Sequence, residues 1–223
     1  MSMAIIKTDK ISKTYHSGGA DIRALIGVSL AIEPGEFIMI TGRNGSGKST
    51  LLHQLALLDL PDSGEVLINN KKTTDLNEGL RMDFRLSSLG YIFQEYALIA
   101  ELTAIENVML PAMMLGPSKL AKKKAANLLN IVGLENKHNR LPSQLSGGEQ
   151  QKVAIARSLI NSPQIIFADE PTANLDTIAA KEILNIFKRL NEKEGITIVM
   201  VTHEPEELEY ASRLIHLSDG RLT

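Results

Sequence analysis

Cysteine is absent from this 223-residue chain. The chain can therefore form no disulfide, no thiolate nucleophile and no cysteine-ligated metal centre. Nothing in the sequence requires an oxidising compartment, so a cytoplasmic location fits its composition.

An excess of charge of one sign is also missing. The 24 Lys and Arg residues face 26 Asp and Glu residues, and the formal net charge is -2. Such a balanced chain has no overall field that would gather nucleic acid or anionic lipid. We therefore expect no nucleic-acid partner.

The chain lacks a long apolar run. Its most apolar stretch, residues 97–115, is interrupted by Glu101, Glu106 and Asn107. A membrane-spanning helix needs about 20 apolar residues, and a secretory signal needs an apolar core of about 7–15 residues. The first ten residues carry Lys7, Asp9 and Lys10 beside a short apolar pair instead of such a core. We expect no direct membrane insertion and no export signal.

Short apolar segments alternate with helical patterns over much of the chain. Strands are predicted at residues 4–8, 28–32, 37–41, 65–69, 89–93, 165–168 and 197–201. Residues 103–159 are mainly helical in pattern, and a further helix is predicted over 177–190. Alternation of strand and helix is typical of a parallel sheet. The sequence predicts an α/β fold with a helical insertion.

A glycine-rich segment follows the predicted strand at 37–41 and precedes a helical pattern. It reads Gly42, Arg43, Asn44, Gly45, Ser46, Gly47, Lys48, Ser49 and then Thr50. This is the P-loop spacing, in which backbone N–H groups and a helix N-terminus face phosphates. Lys48 is expected to reach the β- and γ-phosphates of a nucleotide, and Ser49 to supply a hydroxyl ligand for Mg²⁺. A P-loop alone would fit a kinase, a GTPase or a motor.

A second part of the predicted site lies where the strand at 165–168 ends, at Asp169 and Glu170. Ligands of open parallel sheets bind at the carboxyl ends of the strands. Asp169 is expected to hold the Mg²⁺ shell. Glu170 is expected to orient and deprotonate the attacking water, a general-base role worth about 10²–10⁴ in rate. Exposed carboxylate pairs are common at strand ends. The functional interpretation therefore depends on the position of this pair after the P-loop in the sequence.

A third motif opens a helical pattern and reads Leu145, Ser146, Gly147, Gly148 and Glu149. Serine is a good N-cap, and a glycine-flanked helix start can hold a phosphate. The motif resembles the signature of ABC-type ATPases. Together with the P-loop and the Asp169-Glu170 strand, it makes almost the whole chain resemble the ATPase subunit of an ABC transporter.

This resemblance implies further site residues. Tyr15 would stack on adenine, with a half-buried strand tyrosine as the alternative. Gln94 would contact Mg²⁺ and link the two lobes, Asp176 would lie in the D-loop, and His203 would contact the γ-phosphate. The remaining histidines have no such context and are predicted to be structural: His16, His53, His138 and His216.

The resemblance also implies an architecture. A P-loop NTPase core with a mainly parallel sheet would carry an antiparallel β subdomain and an inserted helical subdomain. We expect residues 1–223 to form a single cassette. Residues 1–93 and 160–223 would make the α/β core with the β subdomain, and residues 94–159 the helical signature subdomain.

In the family, two ATP molecules lie between the P-loop of one protomer and the signature of the other. The resemblance therefore implies a head-to-tail homodimer that hydrolyses MgATP and drives a separate transmembrane permease at the inner face of the cell membrane. Residues 98–108 and 168–176 resemble the lipoprotein-releasing and macrolide-export subgroup. Asn44 and Ala173 depart from the serine and glycine usual there.

The apolar residues Met109, Leu110, Met113, Met114 and Leu115 form a stripe that is either a permease-binding surface or core of the helical lobe. Three other functions fit the sequence less well. A DNA-repair ATPase would need long coiled-coil arms between the P-loop and the signature. A translation factor of the family usually has two cassettes. A GTPase would need an aspartate that the segment 136–139 lacks.

Overall fold

The computed structural model describes residues 4–17, 20–117 and 119–223. The strands are β1 (Ile6–Ser17), β2 (Ala20–Ile32), β3 (Phe37–Thr41), β4 (Ser63–Ile68), β5 (Lys71–Lys72), β6 (Leu89–Ile92), β7 (Ile165–Asp169), β8 (Thr197–Val201), β9 (Arg213–Ser218) and β10 (Arg221–Leu222). The helices are α1 (Lys48–Leu55), α2 (Glu78–Ser88), α3 (Ala104–Met114), α4 (Ala121–Ile131), α5 (Gly147–Leu159) and α6 (Thr177–Glu194).

The larger sheet has six strands in the order β10-β9-β3-β8-β7-β6. Strands β6 to β9 and β3 run parallel, and β10 pairs antiparallel with β9. The central strands β3, β7 and β8 are almost continuously buried, which explains their unbroken apolar sequences. Their carboxyl ends bring the P-loop, Asp169 and the segment after Val201 to one edge.

The smaller sheet is antiparallel, in the order β2-β1-β4-β5. The pairing of β1 with β4 shifts between Asp9 and Ser12, opposite Gly64. Gly64 has φ +86, and an added Cβ would lie 2.5 Å from the carbonyl oxygen of Asp9, so the close approach of the strands requires glycine. The predicted α/β class with a mainly parallel and an antiparallel sheet is confirmed.

Two apolar clusters cover the parallel sheet, one on each face. One joins helices α3 to α6 to the face that carries Phe37 and Met39. The other joins α1 and the antiparallel sheet to the face that carries Ile38 and Ile40. The P-loop helix and the signature helix therefore pack on opposite faces of the sheet.

The predicted strands at 37–41 and 197–201 coincide with β3 and β8. The predicted strand at 4–8 overlaps the start of β1, and the predicted strand at 28–32 is the end of β2; these strands have 12 and 13 residues. Helix α2 and strands β9 and β10 were not predicted from the sequence. Residues 103–117 and 119–159 contain helices and turns, and their division as a separate subdomain stays a prediction.

No helix in residues 4–17, 20–117 or 119–223 combines the length and the apolar character that crossing a bilayer would need.

Candidate functional site

The P-loop joins β3 to α1 and is held against two other strands. Gly42 has φ 148, and a Cβ added there would collide with the carbonyl oxygen of Leu217 in β9. Gly47 has φ 102, and its Cβ would collide with the carbonyl oxygen of Ala24 in β2. Glycine is required at both positions, because conformation and space each exclude a side chain. The loop backbone is thus fixed at the N-terminus of α1, where phosphates bind well.

Lys48 is the first residue of α1 and is 5% exposed. Its Nζ donates to the carbonyl oxygens of Gly42, at 3.1 Å, and Arg43, at 3.2 Å. These contacts hold the ammonium group across the mouth of the loop. A phosphate entering the loop would meet this buried cation.

Ser49 and Asp169 meet beside the loop. Ser49 Oγ donates to Asp169 Oδ1 at 3.1 Å, across 120 positions of sequence. Burial raises the pKa of the Asp169 carboxyl above its ordinary value, while the Ser49 hydrogen bond opposes that rise and the nearby charge of Glu170 adds to it. A poorly solvated carboxylate next to a hydroxyl is a suitable partner for a hard cation such as Mg²⁺.

Within the described ranges, no group of three or more His, Cys, Asp or Glu side chains is placed to hold a metal ion by itself. The Ser49 and Asp169 oxygens are compatible with Mg²⁺, which keeps several waters and binds through few carboxylates plus substrate phosphates. The donor set therefore fits an ion that arrives with a nucleotide.

Glu170 and His203 come from the ends of the neighbouring strands β7 and β8. His203 Nδ1 lies 3.3 Å from Glu170 Oε2, and its Nε2 lies 3.1 Å from Glu204 Oε1. The Glu170 N–H donates to the Val201 carbonyl at 3.1 Å, and Glu170 has φ 43. Such left-handed backbone in a non-glycine residue costs about 1–3 kcal/mol and persists only where the surroundings impose it.

The signature residues form the N-terminus of α5. Ser146 Oγ accepts from the Glu149 N–H at 3.3 Å, and Glu149 Oε2 accepts from the Ser146 N–H at 3.0 Å. This is a capping box. The hydrogen bond that the Ser146 N–H donates to the Glu149 carboxylate holds the pKa of Glu149 below its ordinary value. Leu145 is buried beneath the cap, while Gly147 and Gly148 are partly exposed.

Tyr15 lies on β1, opposite Ile22, and is 38% exposed. Its hydroxyl donates to Asp59 Oδ2 at 3.0 Å, and Lys13 Nζ lies 2.9 Å from Asp59 Oδ1. Although burial acts in the opposite direction, the Lys13 hydrogen bond holds the pKa of Asp59 below its ordinary value. The ring is therefore anchored by its hydroxyl and remains accessible to a base.

Gln94 and Asp176 lie in neighbouring connections. Gln94 follows β6 and is exposed, and its carbonyl accepts from Asn174 Nδ2 at 3.4 Å. Asp176 caps α6 by accepting from the N–H groups of Ile178, at 3.0 Å, and Ala179, at 2.9 Å. Ala179 also lies against Gly148 at the start of α5. The D-loop segment is thus packed against the signature helix.

Other residues near the site had not been predicted. His53 Nε2 lies 3.9 Å from Asp169 Oδ2. The buried hydroxyl of Tyr91 has no hydrogen-bond partner among the described residues, and burial followed by the Asp169 charge raises its pKa. His53 stands four positions after Ser49, so the helical i, i+4 rule would have placed it on the same face. No comparable spacing in the local sequence indicates that Glu207, Thr172 and Thr202 are buried.

These features define a nucleotide-binding ATPase of the P-loop class. The model of the family described as ABC transporter matches residues 25–173. The chain belongs to the ABC transporter family, as an ATP-binding and ATP-hydrolysing cassette.

Similar proteins support the assignment to the ABC transporter family. The chain is 51% identical over 219 residues to an uncharacterized ABC transporter ATP-binding protein of Methanocaldococcus jannaschii, covering 98% of this chain and 97% of that protein. It is 46% identical over 219 residues to the lipoprotein-releasing system ATP-binding protein LolD of Aquifex aeolicus, covering 98% and 96%.

The chain is also 42% identical over 221 residues to the macrolide export ATP-binding/permease protein MacB of Syntrophobacter fumaroxidans. This match covers 98% of the chain but 31% of that protein, so the chain spans about a third of its length. The predicted resemblance to the lipoprotein-releasing and macrolide-export subgroup is confirmed. The transport interpretation is confirmed with it, and the DNA-repair alternative is not supported.

Among solved structures, one is described as the dimeric structure of a post-hydrolysis state of an ATP-binding cassette bound to ADP and Pi. It superposes with a TM-score of 0.91 at 43% identity, covering 97% of this chain and 96% of that chain. The predicted fold is confirmed at the level of the whole cassette.

Proposed function

We propose that this chain hydrolyses MgATP between two copies of itself and drives a separate transmembrane permease. The observation that carries the proposal is the meeting of three segments at one sheet edge. Ser49 bonds to Asp169, and His203 lies beside Glu170, although these residues are far apart in sequence. A nucleotide phosphate held by the P-loop would therefore have a metal-ligand pair and an acid–base pair beside it.

The phosphates of ATP bind the P-loop, residues 42–50, with Lys48 providing the cation. Ser49, Asp169 and Gln94 would hold Mg²⁺, which would supply positive charge to offset the charge of the phosphates. Burial of the Asp169 carboxylate supports this role, since burial raises its pKa and a bound cation would offset the cost of its charge. Gln94 is supported by its position after β6, beside the strand that ends at Asp169.

Glu170 orients the attacking water and accepts its proton, and His203 holds the Glu170 carboxylate while facing the γ-phosphate. The 3.3 Å contact between the two side chains supports this pairing. Glu204, on the other side of the imidazole, fixes the ring between two carboxylates. The base is thus oriented by His203, whose ring Glu204 contacts through its other nitrogen.

The signature residues 145–149 complete the site of a second protomer, with Asp176 at the same interface. Helix α1 packs on β2, β7 and β8, whereas α5 packs on β6 and on α3, α4 and α6. Because the two helices cover opposite faces of one sheet, a chain's signature cannot face its own P-loop without a large rearrangement. A head-to-tail homodimer brings each signature to the partner's phosphate and closes the site.

The permease binds a groove of about 490 Å³ between α2, α3 and the end of β6. Its lining includes Met82, Phe93, Pro111 and Met114. The predicted stripe divides here: Met109 packs against the apolar core, whereas Met113 and Met114 are 57% and 63% exposed. Exposed methionines form an adaptable apolar surface suited to a partner helix. The groove lies next to Gln94, because Phe93 in its lining directly precedes Gln94.

Bound to such a permease, the chain would be peripheral at the cytoplasmic face of the cell membrane. Similarity to LolD and MacB favours a cargo of the lipoprotein or macrolide kind.

The variant Glu170→Gln tests the proposal. It should bind ATP as the parent does while phosphate release slows about 10²–10⁴-fold, the range of a lost general base. An ATP-bound dimer should accumulate, which light scattering or size exclusion would detect. The matched control is Glu204→Gln, which changes the other carboxylate on His203 and should slow release much less. A Glu170→Gln chain that stays monomeric and hydrolyses normally would contradict the proposal.

A further inference from the structure

Glu207 is a buried acidic residue that the chemistry above does not use. It is 5% exposed and lies in the short 3-10 turn Pro205–Tyr210 that follows β8. Among the described residues, the buried charged side chains are Glu207 and Lys48. Lys48 is explained by the P-loop. Burying a carboxyl group is costly unless hydrogen bonds compensate, so Glu207 requires an explanation of its own.

Its partners are two threonines from different segments. Thr172 Oγ1 donates to Glu207 Oε1 at 2.5 Å, and Thr202 Oγ1 donates to Glu207 Oε2 at 2.5 Å. Both threonines are buried, at 6% and 2% exposure. Each carboxyl oxygen is therefore satisfied by a hydroxyl group, and the three side chains form one buried unit.

The two threonines stand beside the proposed catalytic pair. Thr172 lies two positions after Glu170, and Thr202 directly precedes His203. The Thr202 hydroxyl also accepts from the Glu204 N–H at 3.1 Å, so it spans the residues on both sides of His203. The Glu207 unit thus connects the turn that carries Glu170 to the turn that carries His203.

The turn after Glu170 is also held from the signature helix. Gln151, which is fully buried in α5, donates from Nε2 to the Pro171 carbonyl at 2.6 Å. Glu170 itself has φ 43, a conformation that its neighbours must impose. Contacts from α5 and from Glu207 on the two residues that follow provide such a constraint.

We propose that Glu207 is a positioning residue for ATP hydrolysis. Through Thr172 and Thr202 it keeps the side chains of Glu170 and His203 in a fixed position relative to each other. The inference rests on the proposed roles of Glu170 and His203. Glu207 itself does not touch the nucleotide. A displacement of about 1 Å at reacting groups can cost 10²-fold in rate, so loosening either turn would slow hydrolysis with little effect on ATP binding.

A purely stabilising role makes a different prediction. Replacing a buried polar unit by apolar side chains of similar shape is often neutral or stabilising. The triple variant Thr172→Val, Thr202→Val, Glu207→Met removes all three polar side chains of the unit, and the group that loses a partner is the N–H of Glu204, an exposed residue. If the unit positions Glu170 and His203, this variant should fold with parental or higher Tm, while kcat falls about 10- to 100-fold and KM for ATP changes less than about 3-fold. Parental kcat in the folded triple variant would overturn the inference.

Single substitutions separate hydrogen bonding from packing, and they decide the matter if the triple variant does not fold. Thr202→Ser keeps the hydroxyl and loses a methyl group, whereas Thr202→Val keeps the shape and loses the hydroxyl. The inference predicts that kcat is close to the parental value in the serine variant and reduced in the valine variant, with the same order for Thr172. The reverse order would overturn it.

Glu170→Gln alone and in the triple background distinguishes this inference from the proposed function. If Glu207 acts through Glu170, the triple substitution should reduce kcat further by less than about 3-fold once the base is gone, because residues acting as a unit are not additive. Full additivity would overturn the inference alone. Parental kcat in Glu170→Gln by itself would overturn the role of Glu170 and the inference with it.

Discussion

The Ser49 hydroxyl donates a 3.1 Å hydrogen bond to Asp169 Oδ1, so the first turn of α1 is tied directly to the end of β7. The bond links two sequence motifs that lie 120 positions apart. It also orients a partly buried carboxylate toward the P-loop. If Asp169 holds Mg²⁺ as proposed, stability and metal binding are opposed at this point, because burial of a negative charge is unfavourable until a cation binds.

The first prediction concerns Asp169→Asn. Burial raises the folded-state pKa of this carboxyl above its ordinary value of 3.8, so the destabilising charge is fully present above the folded pKa and is relieved as pH falls through it. The nucleotide-free variant should therefore have a higher Tm than the parent at neutral pH. This gain in Tm should shrink as the pH falls through the folded-state pKa toward 3.8, the ordinary pKa of the carboxyl.

Asp169→Asn should also weaken Mg²⁺-dependent ATP binding, by at least the ~10- to 100-fold typical of changes around a metal. Thermal unfolding across pH and nucleotide titration with and without Mg²⁺ measure the two effects. Asp83→Asn, at an exposed site on α2, is the control and should show neither. A variant with lower Tm and unchanged Mg²⁺ dependence would contradict the assignment.

The second prediction concerns the shared site. Ser146→Arg should inactivate the homodimer, because a bulky cation replaces the cap where the partner's phosphate arrives. An equal mixture of Ser146→Arg and Lys48→Ala chains forms heterodimers with one intact site each, and should recover about a quarter of parental activity if the sites turn over independently. Phosphate release from each variant and from the mixture is the measurement.

Ser87→Arg, on the exposed face of α2, provides the control for the added cation and should retain parental ATPase activity. If each chain instead used its own signature, every chain in the mixture would carry a defect in its own site and the mixture would stay inactive. Parental activity in the Ser146→Arg homodimer would exclude the composite site.

The third prediction concerns the permease groove. Met113→Glu with Met114→Glu should preserve folding and basal ATPase, because both side chains are more than half exposed, at 57% and 63%. Recruitment to membranes that contain the permease should fall at least ~10-fold, since charge enters an apolar contact. Leu120→Glu, at a 70% exposed position that begins the neighbouring helix, is the matched control. Undiminished recruitment of the folded double variant would place the contact elsewhere.

The fourth prediction concerns Tyr15. If its ring stacks on adenine, Tyr15→Ala should raise KM for ATP about 10-fold, within the 1–3 kcal/mol range of base stacking. Tyr15→Phe keeps the ring and loses the hydroxyl bond to Asp59, so its KM should rise less than about 3-fold. Binding of inorganic tripolyphosphate, which has no base, should be equal in all three proteins. A loss of tripolyphosphate binding in Tyr15→Ala would indicate a structural role instead.

The motifs could be predicted from the sequence because each depends on backbone conformation and on contacts between residues that are close in the chain. The P-loop needs glycine where φ is positive, and the Ser146 cap closes on a residue three positions away. Strands β3 and β8 are buried on both faces, so their apolar sequences marked their ends correctly. Helix α2 was missed because its apolar residues Leu80, Met82, Phe84 and Leu86 alternate with polar ones in the sequence, a spacing that does not indicate a helix, and none of them is fully buried.

What the tertiary structure alone decided depends on contacts between distant segments. The Tyr15 hydroxyl donates to Asp59, 44 positions away in the sequence, and the Thr172 hydroxyl donates to Glu207, 35 positions away. The sequence stripe 109–115 did not reveal that Met109 packs inward while Met113 and Met114 face outward. The sequence by itself determined which groups could bind and hydrolyse a nucleotide, through spacing and backbone conformation. Only the folded sheet put α1 and α5 on opposite faces, because alternate residues of its strands point to opposite sides.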